Sequence, residues 1–209
     1  FELLDKAGIP YVALDSVPDF YRGPCVVNDL EQCGRLMAEH FHQTDARRPA
    51  YVDAAPDMLY FSAFRKTREA FCRGLEEYGM AVSGRNYAAA GMTLEAGVEA
   101  FRRMSESGFD ADAVFCVNDL CALGFMNEAA KHGLRAGHDF ALAGIDDMEI
   151  SSLSSLSLTS VRQPYRDIAR QSVQMLCALM EGKKPEPMRL MLPQELCARG
   201  TTLKRMKAL

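Results

Sequence analysis

The sequence predicts an α/β protein with parallel strands and helical crossovers, and three observations predict it. Short apolar runs of strand type alternate with longer segments whose apolar residues recur at helical spacing, the pattern of strand–helix–strand units. Several helical segments stop at glycine (Gly79, Gly133, Gly182), which accepts the left-handed backbone of a helix end. Three strand-like runs also deliver polar side chains to the point where the strand ends: Asn118 and Asp119 in FCVNDLCALG, Asp146 and Asp147 in ALAGIDD, Gln163 in LTSVRQP. In open α/β sheets ligands sit beyond the carboxyl ends of strands. These ends therefore predict the lining of a small-molecule cleft.

Taken in order, residues 3–7 read as the end of a helix, closed by Gly8 and by Pro10 two residues on. As it stands, the chain starts in the middle of a fold. Residues 11–14 (YVAL) form a short strand ending at Asp15, 16–24 carry turn chemistry, and 25–27 form a second strand ending at Asn28. Leu36, Met37 and Phe41 mark a helix over 30–41, the polar stretch 43–48 is a linker, and 50–54 is a strand. Residues 62–78 form a strongly periodic helix with Phe64, Ala70, Phe71 and Leu75 on one side. An extended stretch (80–89), a helix (93–107), a buried strand (113–117), a helix (119–131) and a strand (140–144) follow. The serine–leucine stretch 151–160 is a loop leading into a strand, 168–180 is a helix and 189–192 the last strand.

Composition narrows the class. The 209 residues are 48% hydrophobic and 25% charged, with a net charge of −4, so they carry no basic footprint for nucleic acid. The cysteine count is odd, at seven, and no C-x-x-C occurs, which fits free thiols in a reducing cytoplasm better than a disulfide framework. Cys33, His40 and His42 share one segment, but that helix reads well without a metal, and no metal or cofactor is expected. No apolar run reaches the ~18 residues of a membrane span. The absence of G-x-S-x-G, P-loop and G-x-G-x-x-G motifs argues for binding rather than catalysis.

Six segments together resemble the effector-binding core of the LacI/GalR family of bacterial transcription repressors. AGIPYVALD is similar to the family's "agiPvVliD" strand, and VVNDLEQCGRLMAEHF to its "vDn…ggrlatehL" segment. FCVNDLCALG matches ND-x-x-A-x-G, HGLRAGHDFALAGIDD the segment ending in "vvGfDD", LTSVRQP the hinge strand "LTTvrqP", and LPQELCARGTT the closing "LP-x-eLv-x-R-x-ST". The resemblance implies a two-lobed, periplasmic-binding-protein-like fold with parallel sheets flanked by helices. It assigns residues 1–42 and 158–187 to a partial DNA-proximal lobe and residues 43–157 and 188–203 to the distal lobe. The headpiece and the first strand–helix pairs of the proximal lobe would lie upstream, leaving residues 11–14 short of sheet partners.

The same resemblance implies the function. A small sugar-like effector would bind in the interlobe cleft and control operator binding through a headpiece outside this chain, in a cytoplasmic homodimer. A periplasmic sugar-binding protein of a transport system is the alternative. Apolar residues on the helix bearing Leu123 and Met126, and on residues 150–156, offer themselves as dimer surfaces.

By the resemblance, Asp15, Asn118, Asp146 and Gln163 are polar effector contacts, and Phe61 and Met92 apolar ones. Each has a structural reading beside it. Asn118 also suits the cap of the following helix, Asp146 or Asp147 the cap of a short helix over 147–152, Asp15 its turn, and Gln163 the backbone of the hinge. Asp119 reads as a helix N-terminal carboxylate. Two departures stand out. Thr67 occupies the place of the family's effector-clamping arginine, so that the clamp is either lost or supplied imperfectly by Arg68. Residues 155–158 also lack the prolines that usually precede the hinge strand.

Overall fold

A computed structural model describes residues 1–58 and 62–202, and contact density divides them into two units. Unit 1 comprises residues 1–29 and 163–194; unit 2 comprises residues 30–162 and 195 onward. The chain passes between them three times, after Asp29, Arg162 and Gln194.

Unit 2 is built on a six-stranded sheet. Its strands in chain order are β3 (Pro49–Asp53), β4 (Tyr87–Ala89), β5 (Ala113–Cys116), β6 (Ala141–Ile145), β7 (Thr159–Arg162) and β9 (Glu195–Cys197). They lie in the order β4-β3-β5-β6-β7-β9, all parallel except β9, which runs antiparallel to β7. Successive side chains on a strand face opposite ways, and the sheet has an apolar core on each face. Ala50, Val52, Val114, Cys116 and Leu142 face one way, packed with Phe101 of α4 (Leu94–Glu106) and Phe125 of α5 (Asp119–Lys131). Tyr51, Phe115, Ala143 and Val161 face the other, with Phe41 of α2 (Leu30–Gln43) and Phe71 of α3 (Ser62–Glu77).

Each face is covered by a helix pair in close contact, and glycine sets the approach. A Cβ on Gly97 would come 2.0 Å from the Cys121 carbonyl oxygen, and one on Gly124 would come 2.0 Å from that of Leu94. Gly34 stands in the same relation to α3, with the Thr67 carbonyl oxygen 2.4 Å from where its Cβ would be.

Unit 1 holds a three-stranded parallel sheet in the order β1-β2-β8, from β1 (Ala13–Asp15), β2 (Cys25–Asn28) and β8 (Arg189–Leu192). The long helix α6 (Tyr165–Met180) packs on it through Ile168 and Met175 against Val26, and the short α1 (Glu2–Lys6) precedes β1. Strand β1 therefore does have a partner, β2, along one edge.

The division differs from the expected boundaries in three places, each for a packing reason. Helix α2, expected in the partial lobe, belongs to unit 2, because Gly34 and Gly74 let it lie directly on α3. Strand β7 is also in unit 2, hydrogen-bonded between β6 and β9. The closing segment is two strands rather than one. Pro193 follows β8, and proline has no N–H to continue a ladder; β8 stays with β2 while β9 joins the larger sheet. Leu123, expected on a dimer surface, is buried in the core between α4 and α5, whereas Leu153 is exposed.

The last turns of α2 bring one consequence for stability. His40, at the end of α2, is buried with its Nε2 2.6 Å from Thr202 Oγ1, which lies 2.7 Å from Thr159 Oγ1. Burial holds the imidazole pKa below its ordinary value. The folded chain thus keeps His40 neutral where the unfolded chain takes up a proton near pH 6.5. Below that pH the unfolded state binds the extra proton, so stability falls as pH falls. Melting curves between pH 7.5 and 5.5 should show a steeper loss in the native sequence than in His40→Gln, by at most about 1.4 kcal/mol per pH unit. Parallel curves would remove His40 from the pH response.

Candidate functional site

In unit 2, β3, β5 and β6 are parallel neighbours, so their carboxyl ends share one edge, and polar residues collect there. Asp53 ends β3 with its side chain fully buried. Its Oδ1 accepts the Ala54 backbone N–H at 2.9 Å, and its Oδ2 accepts Arg68 Nη1 at 2.6 Å and the Tyr87 hydroxyl at 3.0 Å. The backbone carbonyl of Asp53 accepts the N–H groups of Ala90 and Gly91 at 3.2 Å. Gly91 turns the chain there with φ +127°, a conformation that L side chains rarely adopt. Met92 follows, half-buried against the α4–α5 core.

Asn118 joins this edge to the next strand end. It is the N-cap of α5, its Oδ1 accepting the Cys121 N–H at 2.9 Å, while its Nδ2 donates to the Met92 carbonyl at 2.9 Å. The capping role weighed from sequence is thus observed. A primary amide has a second Nδ2 hydrogen beyond the one used on Met92.

The contiguous pair after β6 separates into two jobs. Asp147 (φ +49°) accepts Arg162 Nε at 2.7 Å and Arg199 Nη2 at 2.5 Å. Burial raises its pKa, but hydrogen bonds and charge from Arg199 and Arg162 outweigh that and hold the carboxyl below its usual range. It ties the ends of β6, β7 and β9 together. Asp146 is half-buried with φ +106°, and its N–H donates to the Val161 carbonyl at 3.0 Å. The N-cap position of the following turn is Met148. That 3-10 turn (Glu149–Ser152) is held instead by Asp119, whose Oδ2 accepts the Met148 N–H at 2.8 Å and the Ser151 hydroxyl at 2.6 Å.

Thr67 is buried and turned towards α2, its Oγ1 3.3 Å from the Leu30 carbonyl oxygen. One residue on, about 100° round the helix, Arg68 reaches the strand-end edge that Thr67 does not. Burial lowers the Arg68 pKa and Asp53 raises it by more, for a net rise. Phe61 lies outside the described residues.

In unit 1 the expected pair Asp15 and Gln163 comes together through a third residue. Asn28, at the end of β2, donates its Nδ2 to Asp15 Oδ1 at 2.5 Å and to Gln163 Oε1 at 2.6 Å. Asn28 is 3% exposed and its own Oδ1 has no hydrogen-bond partner among the described residues, which makes it an acceptor suited to a ligand hydroxyl. Asp15 has φ +68°, and burial raises its pKa while the Asn28 bond lowers it, for a net rise.

Asp53, Tyr87 and Asn28 were missed as site residues. Asp53 and Asn28 both end an apolar run, AYVD and CVVN, the signal that marks Asp15 and Asp146. Nothing in the pattern around Tyr87 marks it. The metal alternative disperses: Cys33 is in the core, His40 bonds Thr202, and His42 stacks on Tyr78 with ring centroids 4.1 Å apart. Among the described residues no three His, Cys, Asp or Glu side chains gather as metal ligands, and no helix is long and apolar enough to cross a membrane.

The family profile of the periplasmic binding protein-like domain matches residues 38–202. The chain belongs to that family. CelR, an HTH-type transcriptional regulator of Thermobifida fusca, is 28% identical over 201 residues, covering 95% of this chain and 58% of the relative. CytR, an HTH-type transcriptional repressor of Escherichia coli (strain K12), is 28% identical over 149 residues, covering 71% and 43%. Among solved structures, a CelR–cellobiose complex superposes with a TM-score of 0.84 at 28% identity, covering 96% of this chain and 61% of that one. A dimeric Lac repressor with a C-terminal deletion superposes at 0.86 and 25% identity, covering 97% and 73%. These relatives are LacI-type regulators, so the family resemblance and the periplasmic-binding-protein-like α/β fold are both borne out. The chain spans less than two thirds of the length of these curated relatives.

Proposed function

We propose that this periplasmic-binding-protein-like chain is the effector-sensing core of a LacI-type transcriptional repressor. Its effector is a small sugar-like molecule, and effector binding controls an operator-binding headpiece outside these residues. The observation that carries the reading is the carboxyl edge of the larger sheet, where Asp53 with Arg68, Asn118 and Asp146 stand at the ends of three neighbouring parallel strands and Asn118 bonds the Met92 backbone. Donors and acceptors beside a soft apolar side chain suit a hydroxylated ring. Asp15, Asn28 and Gln163 form a polar set of their own within unit 1, and residues 1–29 with 163–194 are the partial DNA-proximal lobe.

The relatives support regulation over transport. One is a regulator solved with cellobiose, and a Lac repressor dimer has been solved on its operator with an anti-inducer. We therefore place the protein in the cytoplasm, as a homodimer, with no catalytic step of its own. Effector acts by differential affinity for two states of the regulator, since a ligand shifts an equilibrium only by that difference.

A sugar panel tests this by thermal shift. A bound sugar at 100 times its Kd should stabilise the chain by about 2.7 kcal/mol, a rise of roughly 5–10 °C at this chain length. Asp146→Asn keeps the size and shape of the side chain at this backbone position and removes only its charge. It should weaken the sugar about tenfold or more while leaving the sugar-free melting point in place. A panel with no shift, or an Asp146→Asn chain that binds like the native one, overturns the assignment.

A further inference from the structure

We propose that Arg68, held by Asp53 and Tyr87, makes this strand-end site select uncharged polyhydroxylated ligands over their phosphorylated or carboxylated counterparts. The inference rests on the effector-site reading above and names its ligand class.

Asp53 is 0% exposed, and Arg68 Nη1 lies 2.6 Å from its Oδ2. Water does not reach the carboxylate, so its charge stays concentrated beside the guanidinium, where screening is weak. The carboxylate is fully engaged, by the Ala54 N–H on one oxygen and by Arg68 and the Tyr87 hydroxyl on the other. The pair presents donors without net charge. A guanidinium has five N–H groups; Nη1 is directed to Asp53 and, at 3.5 Å, to the Tyr87 hydroxyl. The Arg68 side chain is 28% exposed, and its Nε and Nη2 hydrogens have no partner among the described residues.

That arrangement treats hydroxyls and anions differently. A sugar hydroxyl needs only a fixed N–H to donate to it, and an ion-paired arginine is a fixed plate of them. A phosphate or carboxylate must shed far more hydration on entry and recovers it only against net positive charge. Here it meets a neutralised arginine with a second negative charge directly behind. Asp53 is thus a positioning and charge-masking residue, and Arg68 a specificity-determining one. The offset from Thr67 to Arg68 matters for this reason, since only residue 68 reaches the buried carboxylate.

The test is titration calorimetry on the full protein with matched probes: glucose and glucose 6-phosphate, galactose and galacturonate, cellobiose and cellobionate. In the native protein the neutral member of a pair should bind about tenfold more tightly or better. Asp53→Asn unmasks the arginine and should shrink or reverse that ratio by about tenfold. Arg68→Gln should weaken the neutral member by a similar factor and keep the anion excluded. An anionic member that binds the native protein as tightly as its neutral partner overturns the proposal, as does an unchanged ratio in a folded Asp53→Asn protein. If Asp53→Asn does not fold, Arg68→Gln decides: unchanged neutral affinity overturns the proposal, and a tenfold loss upholds it. Failure of every probe to bind the native protein instead removes the effector-site reading, and the selectivity claim with it.

Discussion

Replacing Asp119 by alanine should lower the melting point of this chain by roughly 8–15 °C, a loss of about 3–4 kcal/mol. The carboxylate is fully buried yet satisfies three donors: Ser160 Oγ at 2.6 Å on one oxygen, and Ser151 Oγ at 2.6 Å with the Met148 N–H at 2.8 Å on the other. Alanine strands all three in a dry setting, and each buried unsatisfied donor costs about 1–3 kcal/mol. The sum is not additive, because the serine hydroxyls can turn to other acceptors. Burial raises the Asp119 pKa more than its hydrogen bonds lower it, so Asp119→Asn should be milder than Asp119→Ala: one amide oxygen keeps part of the network. Equal losses in the two variants would show that volume, not hydrogen bonding, sets the effect. The turn that Asp119 anchors (Glu149–Ser152) follows Asp146, so the alanine variant should also weaken any sugar response.

A second large effect is expected where α4 meets α5. Gly97→Ala and Gly124→Ala each drive a methyl group to within 2.0 Å of a backbone carbonyl oxygen on the facing helix. Backbone has no rotamer in which to escape, so the helices must part. Each substitution should destabilise by about 2–3 kcal/mol, at the upper part of the range for overpacking. Once one methyl group has separated the helices, the second finds space already made. The double variant should therefore lose clearly less than the sum, by about 1 kcal/mol or more of coupling. Urea unfolding of the four chains measures this. Full additivity would mean that the two contacts relax independently and that the helix pair is not one rigid element.

Much of the fold was legible because periodicity and glycine placement are local properties. The run around Phe64, Ala70, Phe71 and Leu75 reads as a helix, and α3 is there with Ala70, Phe71 and Leu75 buried. FCVN followed by DLCALG reads as a strand feeding a helix, and β5 and α5 meet at Asn118. The strand-ending polar residues were legible too, since an apolar run that stops at Asn or Asp marks the edge of a sheet. Partition between the two units was less legible. Helix α2 could have packed with either neighbour in sequence, and the choice rests on Gly34 of α2 meeting α3 and Gly74 of α3 meeting Ala38 of α2, a match between positions far apart in the chain. The split of β8 from β9 likewise depends on which sheets offer an open edge.

For the site, the sequence by itself determined which residue types stand at most of the strand ends: Asp15, Asn28, Asn118, Asp146 and Asp147 are all read from the point where an apolar run stops. It also determined that residue 67 is threonine where the related family has arginine. Tertiary structure alone decided which of these groups are spoken for. Asp147 is engaged by Arg162 and Arg199, Asn118 gives its oxygen to the cap and one amide hydrogen to Met92, and Arg68 commits Nη1 to an aspartate fifteen residues away in sequence. The physical reason is that a side chain's charge and hydrogen-bonding capacity are set by what lies within ~3 Å of it. In this chain those neighbours come from other strands and helices.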